Sequence, residues 1–382
     1  YEETKAEIGK HGRVGGGSVW IGPKAPPSQR YKSQANIYPP KGRPAEFHIY
    51  CSPDGYRWRL FSRPSIGEMD TQSIVFWDEP HQRYLLYTRN NRDAHTPQRR
   101  RVVRRLESVD LSHWHNEVFV MDADEVDRGI DQSPTPQPPV DYYGATIFKY
   151  PDDSVDSVYV MLAHAFWHWQ RRPQEQRAGG YADHKFEFEV LAPATLDDRL
   201  CISRDGVRFH RLGGRRSFLP LGLSGTFASK WTWSLPNPIR MGNELWIYYF
   251  GDNQDHDGFI DPAASQRRMA IDRAILRLDG FVSADAAYTG GELVTPLLTF
   301  AGSTLELNVD PGAGGSIRVE LLDASDQPIQ GFSREEAAAL YENHVCLPVT
   351  WRANRSVASL AGKPIKIRFL MRDCRLYAFQ FR

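Results

Sequence analysis

The sequence predicts a mostly antiparallel β protein, the larger part of a β-propeller followed by a small β-sandwich. Three observations predict it: a turn motif that repeats, short strand-like runs between the copies, and turn-forming residues throughout. The chain has 382 residues, which is enough for two domains of roughly 100–200 residues each. Its 26 Pro and 30 Gly are spread along the chain, as expected for many short strands joined by turns.

The repeated turn has the pattern Ser-x-Asp-Gly-x-x-aromatic. It occurs at residues 52–58 and 203–209, with a weaker copy at residues 108–114. Ser and Asp side chains can bond backbone N–H groups inside such a turn, and Gly supplies a positive φ. Each copy lies between two strand-like runs, so its repetition indicates repeated small sheets of the kind found in propeller blades.

Strand-like runs fill the intervals between the turns. Residues 73–78, 83–89, 101–108 and 117–120 predict four antiparallel strands in succession, which make one blade. Other blades begin at residues 18–21, 144–150 and 235–241, which gives four blade beginnings. A fifth blade would need strands before Tyr1.

A second domain is predicted from residue 285, which divides the chain into a propeller at 1–284 and a β-sandwich at 285–382. The sandwich would have six to eight strands, and residues 333–341 would form one or two helical turns with Ser333 as N-cap. Its strand-like runs are 293–300, 304–309, 316–322, 344–350, 365–371 and 376–381.

Composition and the absence of several known motifs argue against some classes of function. Lys plus Arg and Asp plus Glu are equal at 47 each, so no bulk charge attracts nucleic acid or an anionic membrane. The basic run 99–105 is expected to be a strand edge or a solvated loop. No apolar run approaches the roughly 20 residues of a membrane-spanning helix. Cys51 and Cys201 are expected to be buried thiols. P-loop, dinucleotide, HExxH and GxSxG motifs are missing, and no cofactor is expected.

The propeller prediction gathers polar residues at one rim, because residues before an inner strand and after a second strand meet near the axis. Asp70 and Asp141 precede inner strands, whereas residues 89–91, 164–169 and 251–257 follow second strands. Aromatic rings stack on sugar faces, carboxylates and Arg bond sugar hydroxyls, and two carboxyls can cleave a glycosidic bond. The rim therefore predicts a carbohydrate site.

Each candidate has a defined role and a simpler alternative. Asp70 is predicted to be the base or nucleophile and Asp141 an orienting carboxylate that tunes pKa; both could instead be turn or cap residues. Trp167 or Trp169 would be the stacking platform. The substrate-binding candidates are Arg89, Asn90, His164, Trp167, His168 and His256. His164 could instead be a core histidine, and the loop 252–257 could be an ordinary polar loop or bind calcium.

Several segments together resemble a group of bacterial glycosyl-hydrolase-like proteins related to glycoside hydrolase families 32 and 43. The resemblance covers nearly the whole chain and is carried by residues 19–21, 25–32, 52–55, 70–73, 76–78, 203–206, 276–283 and 376–379. It implies a five-bladed β-propeller with a C-terminal β-sandwich, and it suggests that an N-terminal segment is absent here.

The resemblance also implies three carboxylates on the propeller axis. Asp70 and Asp141 match two of these positions, but the third falls at residues 225–230, where Ala228 stands in place of an acid. The acid would then come from Asp252 or Asp255, from the absent segment, or from nowhere; Asp252 is taken as the third catalytic candidate.

The leading hypothesis is a glycoside hydrolase that removes a terminal sugar from an oligosaccharide or polysaccharide. The main alternative is a carbohydrate-binding propeller without catalysis, which Ala228 favours. A sialidase-like enzyme and a protein-interaction scaffold are further alternatives. Carbohydrate is the expected partner, without nucleic acid or membrane; the oligomeric state is left open, and a periplasmic or secreted location is slightly favoured.

Overall fold

The computed structural model describes residues 13–38, 45–67, 69–92, 100–128, 140–152, 156–170, 192–256, 258, 260–352, 354 and 356–382. Over these residues the protein is almost entirely β, which confirms the predicted all-β class. Two compact units are present: residues 1–238 with 247–274, and residues 239–246 with 275–382. The described part of the chain contains no helix that is long and apolar enough to cross a membrane.

The first unit begins with two antiparallel sheets of similar plan. In the first sheet, β1 and β2 both pair with β3, followed by β4 and β5; the second sheet has the order β6-β7-β8-β9. These strands are β1 Arg13–Gly15, β2 Val19–Ile21, β3 Tyr31–Tyr38, β4 Glu46–Ser52, β5 Arg59–Ser62, β6 Ile74–Asp78, β7 Arg83–Arg92, β8 Arg100–Ser108 and β9 His115–Met121.

A third, larger sheet continues the plan after the short helix α1 (Glu125–Arg128). Its order is β10-β11-β12-β15-β17-β16, with β13 and β14 on β12 and β18 on β17. The strands are β10 Val140–Tyr150, β11 Val158–Gln170, β12 Ala192–Ser203, β13 His210–Arg211, β14 Ser217–Leu219, β15 Trp231–Ser234, β16 Ile239–Met241, β17 Glu244–Asp252 and β18 Met269–Arg277. The predicted inner strand at 235–241 is confirmed only in part: β16 lies within it, but β15 lies before it, and both pair with β17.

The repeated turn has the predicted hydrogen bonds. Ser52 Oγ accepts from the N–H groups of Asp54 (3.2 Å) and Gly55 (2.9 Å), and Asp54 Oδ1 accepts from those of Tyr56 and Arg57 at 2.9 Å each. The turns at 108–113 and 203–208 repeat these bonds. Each turn joins the third strand of a four-strand series to the fourth, so the motif marks a structural repeat.

The sheets of the first unit pack face to face through strands that are apolar on both sides. On β7, Tyr84 and Leu86 pack with Phe47 and Ile49 of the first sheet. Leu85 and Tyr87, on the other side of β7, pack with residues of the third sheet such as Ile147. Successive side chains of a strand point to opposite faces, so β7 contributes to two cores, and each buried Leu stabilises by about 1.5–3 kcal/mol.

Polar groups join the innermost strands of successive sheets. Gln72 Nε2, just before β6, donates to Thr146 Oγ1 on β10 at 2.7 Å, and Thr146 Oγ1 donates to Ser234 O on β15 at 2.8 Å. Asn237 Nδ2, after β15, donates to Val19 O on β2 at 3.4 Å. Since β2 also lies beside β6, the contacts run from sheet to sheet and return to the first one.

The second unit contains one five-stranded sheet of order β19-β23-β21-β22, with β20 on β23. The predicted strands at 304–309 and 316–322 are one long strand, β21, in which the register shift between Pro311 and Ser316 is an irregularity rather than a turn. The predicted strands at 365–371 and 376–381 are likewise one strand, β23. Residues 333–341 form no helix; Ala337 N donates to Ser333 O at 3.0 Å in one isolated turn. The strands are β19 Ala284–Ala286, β20 Gly291–Val294, β21 Leu305–Leu322, β22 His344–Pro348 and β23 Lys366–Phe381.

Candidate functional site

Asp70 lies just before β6 and is held by donors from three directions. Tyr38 Oη donates to its Oδ1 at 2.6 Å, Thr71 N donates to the same oxygen at 2.7 Å, and Arg89 Nη2 donates to Oδ2. Desolvation is the largest single effect and raises its pKa, but Arg89, Tyr38, Thr71 and Arg101 together hold the pKa below the usual range. Asp70 is therefore an ionised carboxylate at neutral pH.

Tyr38 supports this state of Asp70. Burial, with the hydrogen bond to Asp70 as the next cause, raises the pKa of Tyr38 to about 12. The phenol stays protonated, so its hydroxyl group remains a donor to the Asp70 carboxylate throughout the ordinary pH range.

Asp141 is the second residue of β10 and forms a separate ion pair. Arg101 Nη1 donates to its Oδ2 at 2.9 Å, and the Asp141 side chain is only 8% exposed. Desolvation is the largest effect on Arg101 and lowers its pKa, but Asp141 and Tyr143 raise it, and the pKa lies above its ordinary value. Arg101 therefore carries its positive charge in this pair.

Tyr143 brings the two ion pairs together. The guanidinium carbon of Arg89 lies 4.7 Å from the centre of its ring, and that of Arg101 lies 5.0 Å away. Cations over an aromatic face are attracted by its quadrupole by about 0.5–2 kcal/mol. Asp70 and Asp141, the two leading catalytic predictions, are thus linked through their arginines to one ring.

Four further rings surround Tyr143 and form an aromatic cluster with it. Ring centres of Phe166, Trp231, Trp233 and His256 lie 5.3, 5.7, 5.8 and 5.9 Å from that of Tyr143. Tyr143, Trp233 and His256 are partly exposed, whereas Phe166 and Trp231 are buried. The cluster therefore offers flat apolar surface beside the two carboxylates.

His256 makes two further contacts within this cluster. Its ring is stacked on that of Trp231, with 10° between the planes, and its Nε2 lies 3.4 Å from Tyr143 Oη. Of the predicted binding residues, Arg89 therefore contacts both Asp70 and the Tyr143 ring, and His256 contacts the Tyr143 ring.

Two other candidates, Asp252 and Asn90, have polar partners outside the aromatic cluster. Asp252 is ion-paired with Arg267, whose Nη2 donates to Oδ2 at 2.6 Å, and it also accepts from Gln254 N at 2.9 Å. Asn90 donates from Nδ2 to Glu117 Oε1 at 3.2 Å. These bonds give Asp252 and Asn90 structural partners, and a direct role in the site stays a prediction for both.

Trp167 differs from the predicted stacking platform. Its Nε1 donates to Asp197 Oδ1 at 3.1 Å, and its ring packs against the core formed by the second and third sheets. The neighbouring Phe166 faces the aromatic cluster instead, since adjacent side chains of β11 point to opposite faces. The side chains of His168 and Trp169 lie outside the described residues.

His164 is a core histidine rather than a ligand-contacting one. Its side chain is 0% exposed, and burial lowers its pKa to about 3, so the ring is neutral. Its Nε2 lies 3.5 Å from Ser234 Oγ and from Asp198 Oδ1. Asp198 is also fully buried, and burial raises its pKa well above the usual range. This result corrects the prediction that His164 binds substrate directly.

The position of the expected third acid is tightly packed. Ala228 is buried, and a Cβ placed on Gly251 would lie 2.9 Å from the Ala228 methyl group. Within the described residues, no group of three or more His, Cys, Asp or Glu side chains is placed to hold a metal ion. Asp257, part of the loop that could bind calcium, lies outside those residues, so calcium binding stays a prediction.

No protein-family model matches this sequence. No curated protein matches it either.

Several solved structures are similar to parts of the chain. An N-acetylgalactosamine deacetylase from F. plautii, in complex with blood group B trisaccharide, is 13% identical, covers 70% of this chain and 91% of its own, and has a TM-score of 0.42. A glycosyl hydrolase from Bacteroides ovatus is 11% identical over 70% of this chain and 67% of its own, with a TM-score of 0.43. A fructofuranosidase from Schwanniomyces occidentalis, complexed with fructosylnystose, is 10% identical over 96% and 82%, with a TM-score of 0.37.

Arg101 and the aromatic cluster were not predicted from the sequence as parts of the site. The basic run was expected at a strand edge or in a loop. It lies instead on β8, which pairs with β7 on one side and β9 on the other, and Val102 and Val103 on this strand are buried. The two adjacent valines are a usable signal, because neighbouring side chains of a strand point to opposite faces, and Val102 and Val103 together indicate a strand that is buried on both faces. Tyr143 lies between Asp141 and the predicted strand at 144–150.

Proposed function

We propose that this chain is a carbohydrate-active protein, a glycoside hydrolase that takes a terminal sugar into the site at Tyr143. The observation that carries this proposal is the convergence of two Asp–Arg pairs on one partly exposed aromatic ring. Ion-paired carboxylates accept from sugar hydroxyl groups, guanidinium groups donate to them, and aromatic rings cover the apolar faces of the sugar.

In this proposal Asp70 is the carboxylate that acts at the anomeric carbon, as nucleophile or as the base for water. Its lowered pKa keeps it ionised, as either role requires. Asp141 orients the sugar together with Arg101, and Arg89 fixes the direction of the Asp70 carboxylate. Tyr143 and Trp233 supply the stacking surface.

The proposed architecture is a five-bladed propeller of the type related to families 32 and 43, with a C-terminal β-sandwich. Three four-strand series with equivalent turns support it, and so does the return of inner-strand contacts from Asn237 to Val19. A bacterial origin and a periplasmic or secreted location remain part of the same proposal.

A carbohydrate-binding protein without turnover is the second candidate. It is favoured by Ala228, which leaves the expected third position without a carboxyl group. Asp198 has a raised pKa suited to an acid, but its side chain is 0% exposed and cannot reach a glycosidic oxygen. If the chain is a hydrolase, Asp252 or another group must donate the proton to the leaving group, unless the leaving group needs no protonation.

The experiment compares wild type with Asp70→Asn on a glycan panel and on aryl glycosides with good leaving groups. A hydrolase should lose about 10²–10⁴-fold in kcat on both substrate types when Asp70 is changed. Asp110→Asn is the matched control, because its carboxylate accepts backbone N–H bonds in the turn at 108–113. Equal turnover by wild type and Asp70→Asn would exclude the proposed role of Asp70.

The same panel separates the two candidate functions. Cleavage of aryl glycosides alone would indicate a working Asp70 without an effective general acid. Saturable glycan binding without turnover on either substrate type would select the binding protein. The absence of both binding and turnover on the whole panel would contradict a carbohydrate-active role.

A further inference from the structure

Thr71, between Asp70 and Gln72, has an unusual backbone conformation. Its φ is +58°, in the left-handed region. Of the nine described non-glycine residues with positive φ, it is the one with a branched β-carbon, for which this region is strained. Strained backbone persists only where surrounding contacts hold it, and such positions are often found at functional sites.

Three hydrogen bonds hold Thr71 in this conformation. Its carbonyl oxygen accepts from Asn36 Nδ2 at 2.7 Å, and its Oγ1 donates to Tyr143 O at 3.0 Å. Its N–H group donates to Asp70 Oδ1 at 2.7 Å. The residue therefore connects β3 of the first sheet, β10 of the third sheet and the Asp70 carboxylate.

Two glycines leave the space that this arrangement requires. A Cβ on Gly16 would lie 1.8 Å from Thr71 O, and a Cβ on Gly144 would lie 3.3 Å from Thr71 Oγ1. Larger residues at these two positions would push Thr71 away from Asn36 or from Tyr143. Thus Thr71 is fixed by close packing as well as by its hydrogen bonds.

We propose that Thr71 is a positioning residue, which aims the Asp70 carboxylate at Arg89 and at the sugar site beside Tyr143. The proposal rests on the proposed function and adds to it a residue that does not itself touch the sugar. Its hydroxyl group fixes the distance between Asp70 and the Tyr143 backbone, so the two parts of the site keep one spacing. A misplacement of about 1 Å at a reacting group can lower the rate by about 10²-fold.

The test uses Thr71→Val, which keeps the branched shape and removes the hydroxyl group, and Thr71→Ser, which keeps the hydroxyl group. We expect kcat to fall about ten- to hundredfold in Thr71→Val while KM changes less than threefold, because the misplaced group acts in the chemical step. Thr71→Ser should restore kcat to within threefold of wild type. Gln82→Gly is the control, since Gln82 has φ +52° in the turn at the other end of β6.

A crystal structure of Thr71→Val gives a readout that does not depend on catalysis. We expect the Asp70 carboxylate to leave at least one of its partners, Tyr38 or Arg89. An unchanged Asp70, or a kcat within threefold of wild type, would overturn the positioning role and leave the proposed hydrolase standing. If the wild-type protein binds glycans without turnover, the same comparison is made with the dissociation constant. If it neither binds nor cleaves glycans, the proposed function fails, while the crystal structure still decides whether Thr71 places Asp70.

Discussion

The ion pair between Arg101 and Asp141 should be one of the stronger charge interactions in the first unit. Asp141 is 8% exposed and Arg101 is 22% exposed, so water screens the pair only in part. Removing one partner of a fully buried pair costs about 3–5 kcal/mol, whereas exposed pairs contribute about 0–1 kcal/mol. For the intermediate burial of this pair we expect a coupling energy of about 1.5–3 kcal/mol.

A double-mutant cycle with Arg101→Gln and Asp141→Asn measures this coupling by urea unfolding. The matched control is the pair of Arg208 and Asp205, which are 3.9 Å apart and 88% and 51% exposed. Its coupling should stay below about 0.5 kcal/mol. The cycle also subtracts the cost of losing the bonds that Asp205 makes inside its own turn.

The activity of the same variants tests whether the pair serves the site as well as stability. Arg101→Gln also removes a cation from the Tyr143 ring, so glycan binding should weaken together with stability. A coupling energy for Arg101 and Asp141 no larger than that of the control pair would refute the reasoning from burial. Normal glycan binding by a destabilised Arg101→Gln would confine the pair to a structural role.

Three further predictions concern Asp70, the repeated turn and the inner strands. Because the folded pKa of Asp70 lies below its unfolded value, the stability that its ionised carboxylate contributes is present above about pH 4 and is lost as pH falls through the folded pKa. For the same reason, protonation of Asp70 should not lower kcat/KM between pH 7 and 5. Arg89→Gln should shift the acid limb of the kcat/KM profile to higher pH, and an unshifted limb would contradict the role of Asp70. Ser203→Ala removes the acceptor of two backbone N–H groups and should cost about 1–2 kcal/mol in urea unfolding without changing activity; a loss of activity would show that the turn has more than a structural role. Gly144→Ala places a Cβ 3.3 Å from both His164 Nδ1 and Thr71 Oγ1 and should cost about 1–3 kcal/mol and lower activity; unchanged stability would mean that this contact can relax freely.

The strand pattern could be predicted from the sequence because its signals are local. The turn at 52–58 carries its own hydrogen-bonding groups, and runs such as 83–89 are rich in the aromatic and apolar residues that favour strands. The structure extends that run to Arg83–Arg92 and places it inside a sheet. The predicted strand at 235–241 forms only at its end, as β16, because Pro236 and Pro238 break the segment between β15 and β16.

The site could be predicted only in part, because it depends on which face of a strand a residue occupies. Phe166 and Trp167 are adjacent and both aromatic, and composition does not show which of them faces Tyr143. Arg101 was hidden for a related reason. Its partner is 40 residues away on another sheet, and no local pattern joins Arg101 to Asp141.

Residues of the inner strands contribute both to the core and to the candidate site. Gln72 Nε2 bonds Thr146, and Gln72 Oε1 accepts from Trp233 Nε1 at 3.1 Å, so one buried amide joins the core to the aromatic cluster. A side chain in such a network is costly to leave without partners, since a buried unsatisfied polar group costs about 1–3 kcal/mol. Changes that repack the inner strands should therefore alter the cluster and Asp70 together. Changes on the outer turns, such as that at Ser203, should alter stability alone.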